Sequence, residues 1–134
     1  MVQLSPHFSL AEMTFSETAA RLKLNNEPSP EILEILKATA AAMEKVRIIC
    51  GNRLIAVSSC YRSPAVNKSV GGVNTSHHVK GYAVDFRVAG LTVRQVNDLI
   101  AKSDLRFDQL IDEYGRWSHI SFAPALRRQV FSIR

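Results

Sequence analysis

Thiols are scarce in this chain. Cys50 and Cys60 are the only cysteines in 134 residues, and neither belongs to a C-x-x-C pair. Two isolated thiols exclude a disulfide framework, so both read as small buried apolar residues on either side of a strand. No stretch is long and apolar enough to span a bilayer, so no membrane insertion is expected. Residues Met1 to His7 lack a basic segment followed by an apolar one. The expectation is therefore synthesis in the cytoplasm without a signal peptide. Internal repeats and low-complexity tracts are missing as well, and residues 1–134 read as a single domain. Nucleic-acid signatures are equally absent: there is no aromatic-rich RNA-binding motif and no zinc-finger spacing. The net charge of +5 comes from 17 Lys and Arg against 12 Asp and Glu, scattered along the chain. Only Arg127-Arg128 and Arg134 suggest a local basic edge, and the anionic partners such a balance favours are nucleic acid, a membrane surface or an acidic cell-wall polymer.

What is present is punctuated by capping signals. Ser9-Leu10-Ala11-Glu12 and Thr14-Phe15-Ser16-Glu17 are S/T-x-x-E boxes, predicting two short helical segments before Leu24. Asn25 to Pro28 reads as a turn. Ser29-Pro30 supplies an N-cap and a proline at the first helical position. Ile32, Leu36, Ala40, Met43 and Val46 then mark one long amphipathic helix, which Gly51 stops. Leu54 to Ser59 is apolar and β-branched enough for a buried strand. A Gly/Asn/Ser-rich loop follows from Asn67 to Ser76. Gly81 to Val88 reads as a strand with Ala83, Asp85 and Arg87 on one face. Thr92-Val93-Arg94-Gln95 opens a helix. Phe107 to Glu113 and Trp117 to Phe122 read as strands joined at Tyr114-Gly115-Arg116, and the residues after Pro124 as a short basic tail. The expected fold is α+β, with helices packed on one face of a small, mostly antiparallel sheet and the functional site on the other.

The chemistry concentrates in two islands. Ser76-His77-His78-Val79-Lys80-Gly81-Tyr82-Ala83-Val84-Asp85 reads S-x-H-x-x-G-x-A-x-D, and Glu113 to Ser121 contains His119. A strand-borne Asp85 projects rigidly, and His78 reaches the same point if the chain turns sharply at Gly81, which carries no Cβ to clash. His119 sits on a neighbouring predicted strand. Two imidazoles and a carboxylate leave the fourth position of a tetrahedral Zn²⁺ to water, the arrangement of a catalytic site. His77 and His7 read as exposed loop histidines.

These motifs resemble the zinc D-Ala-D-Ala carboxypeptidase family of peptidoglycan peptidases, which shares its fold with the hedgehog signalling domain. Ser76, His78, Gly81, Ala83 and Asp85 match its S-x-H-x-x-G-x-A-x-D signature in full. Ser58 to Pro64 is similar to its S-G-Y-R-S segment, with Cys60 where glycine is usual, and Trp117-Ser118-His119 to its W-x-H. The N-terminal Phe8 to Met13 and the long helix resemble short phage or prophage members. The resemblance implies one Zn²⁺ per chain on His78, Asp85 and His119, with Arg62 stabilising the oxyanion and Glu113 as general base. It implies substrate contacts from Arg62, Ser76 and Trp117, and peptidoglycan stem peptides as substrate. A monomer acting on the cell wall, after release or phage delivery, is the corresponding expectation. The competing readings are a zinc-containing binding module of the same fold that no longer cleaves and, far behind, a nucleic-acid-associated protein.

Overall fold

The computed structural model describes residues 2–134. The chain opens with a small antiparallel ribbon, β1 (Gln3–Ser5) and β2 (Phe8–Ser9). Ser9 and Glu12 close a capping box at the start of α1 (Leu10–Thr14). The second short helix, α2 (Glu17–Leu22), is capped by Ser16 rather than by Thr14. The turn at Asn25 to Pro28 is closed by a side chain, Asn25 Oδ1 accepting the Glu27 N–H at 2.8 Å. Ser29 then caps α3 (Pro30–Ile49), which buries Leu36, Thr39, Ala40, Met43 and Val46 along one stripe. Gly51, at φ +85, ends it.

The remaining strands form one sheet in the order β3-β4-β6-β5-β7. They are β3 (Ile55–Ser59), β4 (Ala83–Val88), β5 (Gln109–Glu113), β6 (Trp117–Ser121) and β7 (Gln129–Ile133). Every pairing is antiparallel except β5 with β7. Val84 and Phe86 of β4, Leu110 of β5 and Ile120 of β6 share one core with Leu36, Met43 and Val46 of α3. That core also takes Val96 and Ile100 from α5 (Val93–Lys102). The α+β expectation and the mostly antiparallel sheet are both observed.

Three local readings differ from the sequence expectation. Leu54 to Ser59 is an edge strand rather than a buried one: Leu54 lies outside it, 75% exposed, and burial alternates along β3. The Gly/Asn/Ser-rich loop begins late, because Ser63 caps a short helix, α4 (Pro64–Ser69), that buries Val66 and Asn67. The expected basic tail is strand β7, and its arginines are tied to the fold. Arg128 lies over the Phe107 ring and donates to the Leu105 and Ser103 carbonyls, while Arg134 pairs with Asp112. Both cysteines are buried and free. Among the described residues no helix is long and apolar enough to cross a membrane.

Candidate active site

Asp85 lies in the middle of β4, opposite His119 on β6 in the antiparallel register. The alternation that sends Val84, Phe86 and Ile120 into the core sends Asp85 and His119 to the other face. His78 reaches that face from a 3-10 turn, His77–Lys80, whose last residue hands over to Gly81. Gly81 has φ +83, and a Cβ there would stand 3.2 Å from Leu36 Cδ2. Its carbonyl accepts the Thr39 hydroxyl at 2.7 Å, which fastens the turn to α3. The turn therefore needs glycine twice over, for its dihedral and for its packing.

His78 Nε2 lies 3.3 Å from Asp85 Oδ2, and His119 Nδ1 lies 2.8 Å from Asp85 Oδ1. The three residues offer donor atoms all within 4.8 Å of one another, an arrangement that could hold one metal ion. The second nitrogen of His78 explains its orientation. Nδ1 lies 2.6 Å from the Cys60 carbonyl, which can only accept, so Nδ1 carries the proton and Nε2 turns its lone pair to the site. The Arg62 backbone N–H donates back to the His78 carbonyl at 3.1 Å. Burial would raise the Asp85 carboxyl, but hydrogen bonds and charge from His119 and His78 outweigh it and hold the group well below the usual carboxylate range. Cys60 stays out of the donor set: burial, with the Asp85 charge, pushes its thiol far up.

Glu113 Oε1 stands 3.3 Å from His119 Nδ1, half-buried at the last position of β5. The hairpin that places it turns on Tyr114 and Gly115, both at positive φ, with Arg116 N–H donating to the Glu113 carbonyl. Arg62 Nη2 lies 3.7 Å from Asp85 Oδ2. Its guanidinium is steered by Ser59 Oγ and Asn67 Oδ1, each 3.3 Å away. Asn67 is buried, and a Cβ on Gly72 would come within 2.1 Å of its Oδ1. Asn67 was not legible as part of the site, since it falls where the sequence suggests a loop. The Ser63-Pro64 cap, the same signal that starts α3, marks the helix that carries it.

Two pockets adjoin β6, one of them lined by His119 itself. The first, of about 430 Å³, is lined by Phe15, Ser59, Arg62, Val66 and Trp117. The other, of about 420 Å³, is lined by Thr75, Ser76, His77, Gln109, His119 and Arg127. Ser76 also caps the 3-10 turn by accepting the His78 N–H at 3.3 Å. Trp117 packs edge-on to Tyr114, and its buried indole N–H has no partner among the described residues. His77, expected to be exposed, is half-buried instead, with Nδ1 2.6 Å from Ser121 Oγ. His7 is exposed, as expected, and pairs with Glu44.

Residues 6–121 match the family model for peptidase M15. The chain belongs to the peptidase M15 family. This is the zinc D-Ala-D-Ala carboxypeptidase-type family that the two motifs resemble. Membership supports, at that coarse level, a zinc-dependent metallopeptidase acting on peptidoglycan. The comparison with curated proteins gave no match. The family match spans all three members of the His-Asp-His cluster and ends with β6, before Arg127 and β7.

Proposed function

We propose that residues 1–134 form one zinc peptidase domain that cleaves D-alanine-containing peptide bonds of bacterial peptidoglycan, in the manner of a phage or prophage cell-wall lysin. The observation that carries this reading is the convergence of His78, Asp85 and His119 on one point, with Glu113 beside His119, in a chain of the M15 family. Two imidazoles and one carboxylate, with no thiolate, are a donor set suited to catalytic zinc. Zinc held by these three residues would supply Lewis acidity to water and to the scissile carbonyl.

The chain's own residues divide the remaining work. Glu113 takes the proton of the attacking water and returns it to the leaving amine. Arg62, steered by Ser59 and Asn67, offers N–H donors and positive charge to the oxygen that becomes negative. Trp117 and Ser76 line separate pockets beside β6, and each contacts the peptide.

The decisive experiment digests purified sacculi with zinc-loaded protein and identifies the released ends by mass spectrometry. New ends at D-alanine bonds are expected. A wild-type protein that holds about one zinc per chain yet releases nothing would favour the binding module over the enzyme. His78→Ala should lose most zinc and all cleavage, and full zinc occupancy in that variant would overturn the ligand assignment.

A further inference from the structure

Strand β7 lies beyond the stretch that the family model matches, which ends at residue 121, and none of its residues has a task in the catalytic reading. It is nevertheless firmly placed. Arg127, just before it, donates from Nε and Nη2 to the fully buried Asp108 carboxylate at 2.8 Å each. The Gln129 N–H donates to the Asp108 carbonyl at 2.9 Å. From there β7 runs parallel to β5 in unbroken register through Ile133. All its side chains are exposed, among them Val130, Phe131 and Ile133.

Register decides which of these side chains share the face of the site. Asp85 pairs with His119, His119 with Ile111, and Ile111 with Phe131. One row thus crosses the sheet from the candidate metal ligands to an exposed aromatic ring. The next row joins Trp117, Glu113 and Ile133, and the third joins Ser121, Gln109 and Gln129. Val130 falls level with the core residue Leu110 and so belongs to the helix side. A side-chain bond ties the third row together, Gln109 Nε2 donating to Gln129 Oε1 at 3.1 Å. Two amides joined in this way keep one carbonyl oxygen and one NH₂ uncommitted, whichever way the pair is oriented. Here these are Gln109 Oε1 and Gln129 Nε2, which have no protein partner among the described residues.

An exposed phenyl face beside one free acceptor and one free donor suits an N-acetylated amino sugar. A pyranose ring turns electropositive C–H groups to the negative face of an aromatic ring. Its acetamido group offers one N–H and one C=O to the amide pair. Continuity with the site and reach both favour such an occupant. Strand β7 lies two strand spacings from β6, about 10 Å, and roughly three extended residues span the same distance. A peptide held at His119 therefore brings the sugar to which its stem is joined within reach of β7. We propose that Phe131 and the Gln109–Gln129 pair form a saccharide subsite, which holds an N-acetylated sugar of the glycan strand while the peptide occupies the candidate active site. The subsite rests on the peptidoglycan-peptidase reading and makes it more specific: the preferred substrate is a stem peptide still attached to its glycan.

The test gives zinc-loaded protein the same stem peptide in two forms, free and linked to its N-acetylated disaccharide, and compares kcat/KM from cleavage. The wild type should prefer the linked form by roughly tenfold, the scale of one aromatic contact and one neutral hydrogen bond. Phe131→Leu keeps apolar bulk in the strand but loses the flat ring, and Gln129→Ala removes half of the amide pair. Each should abolish most of that preference. Val130→Ala, on the other side of the same strand, controls for a structural role and should keep it. Residues that only hold β7 in place would instead lower cleavage of both forms alike and leave their ratio intact in every variant. That result, or equal kcat/KM for the two forms in the wild type, overturns the subsite and leaves the peptidase reading standing. So does a dimer in sedimentation that Phe131→Leu dissociates, since a second copy of the chain would then cover the ring. If neither form is cleaved, the peptidase reading fails and calorimetry with the linked form decides the subsite. Binding that Phe131→Leu weakens would keep it, and no binding would overturn it too.

Discussion

Within the site, His78 makes three commitments at once. Nε2 faces Asp85, Nδ1 is held by the Cys60 carbonyl, and the backbone carbonyl accepts from Arg62. One residue thereby ties the S-x-H turn to the strand end that carries the arginine. Glu113 has a looser position beside His119, and its role as base is the more informative assignment to test. Glu113→Gln is nearly isosteric, so zinc content and melting temperature should hold while kcat falls by on the order of a hundredfold to ten-thousandfold. Turnover equal to the wild type would assign the proton to another group. Asn67 tests the Arg62 pocket. Asn67→Ala removes the Arg62 Nη1 contact while leaving the donor set untouched, so kcat should fall and KM rise with zinc content unchanged. The metal-site candidates were readable from residue type and spacing, because a histidine, a glycine and a strand-borne carboxylate allow few other arrangements. Asn67 was not, because an asparagine between proline and glycine reads as a loop until the helix cap is noticed.

At the scale of elements, the site depends on how one turn meets one helix. The 3-10 turn before β4 ends on a left-handed glycine that touches Leu36 of α3 and is pinned by Thr39. Gly81→Ala should cost roughly 1–2 kcal/mol for the dihedral alone, with a further penalty from the 3.2 Å approach to Leu36. Chemical denaturation should show that loss, and zinc affinity should fall with it because His78 rides on the turn. An unchanged denaturation midpoint would contradict the role given to Gly81. Helices α1, α2, α3 and α5 and the hairpin were legible because their caps and turn residues are local signals. The edge position of β3 and the strand nature of β7 were not, since both depend on which neighbour a segment meets, and pairing order is a non-local property. Arg127 and Arg128 looked like free surface charge for the same reason: Asp108 and Phe107, their partners, lie some twenty positions earlier in the chain.

For the molecule as a whole, the Asp108–Arg127 pair joins the start of β7 to β5 and has a definite dependence on acidity. The Arg127 hydrogen bonds hold the Asp108 carboxyl at about 2, below the ordinary carboxylate value of 3.8. A carboxyl lowered on folding stabilises the native state at pH above its unfolded value, and that contribution fades as pH falls through the folded one. The gap in melting temperature between wild type and Asp108→Asn should therefore be widest above about pH 4 and should narrow toward pH 2. A gap that stays constant over that range would show that the pair does not titrate this way. The position of Trp117 has a practical consequence of another kind. It is the chain's sole indole, half-buried in the Arg62 pocket, two residues from His119 and edge-on to Tyr114. Its emission therefore comes from a single known place, with no second fluorophore of its kind to dilute the signal. The arrival of a peptide beside Arg62 should register as a change in the colour or intensity of the protein's own light, so the pocket can be titrated without attaching a dye.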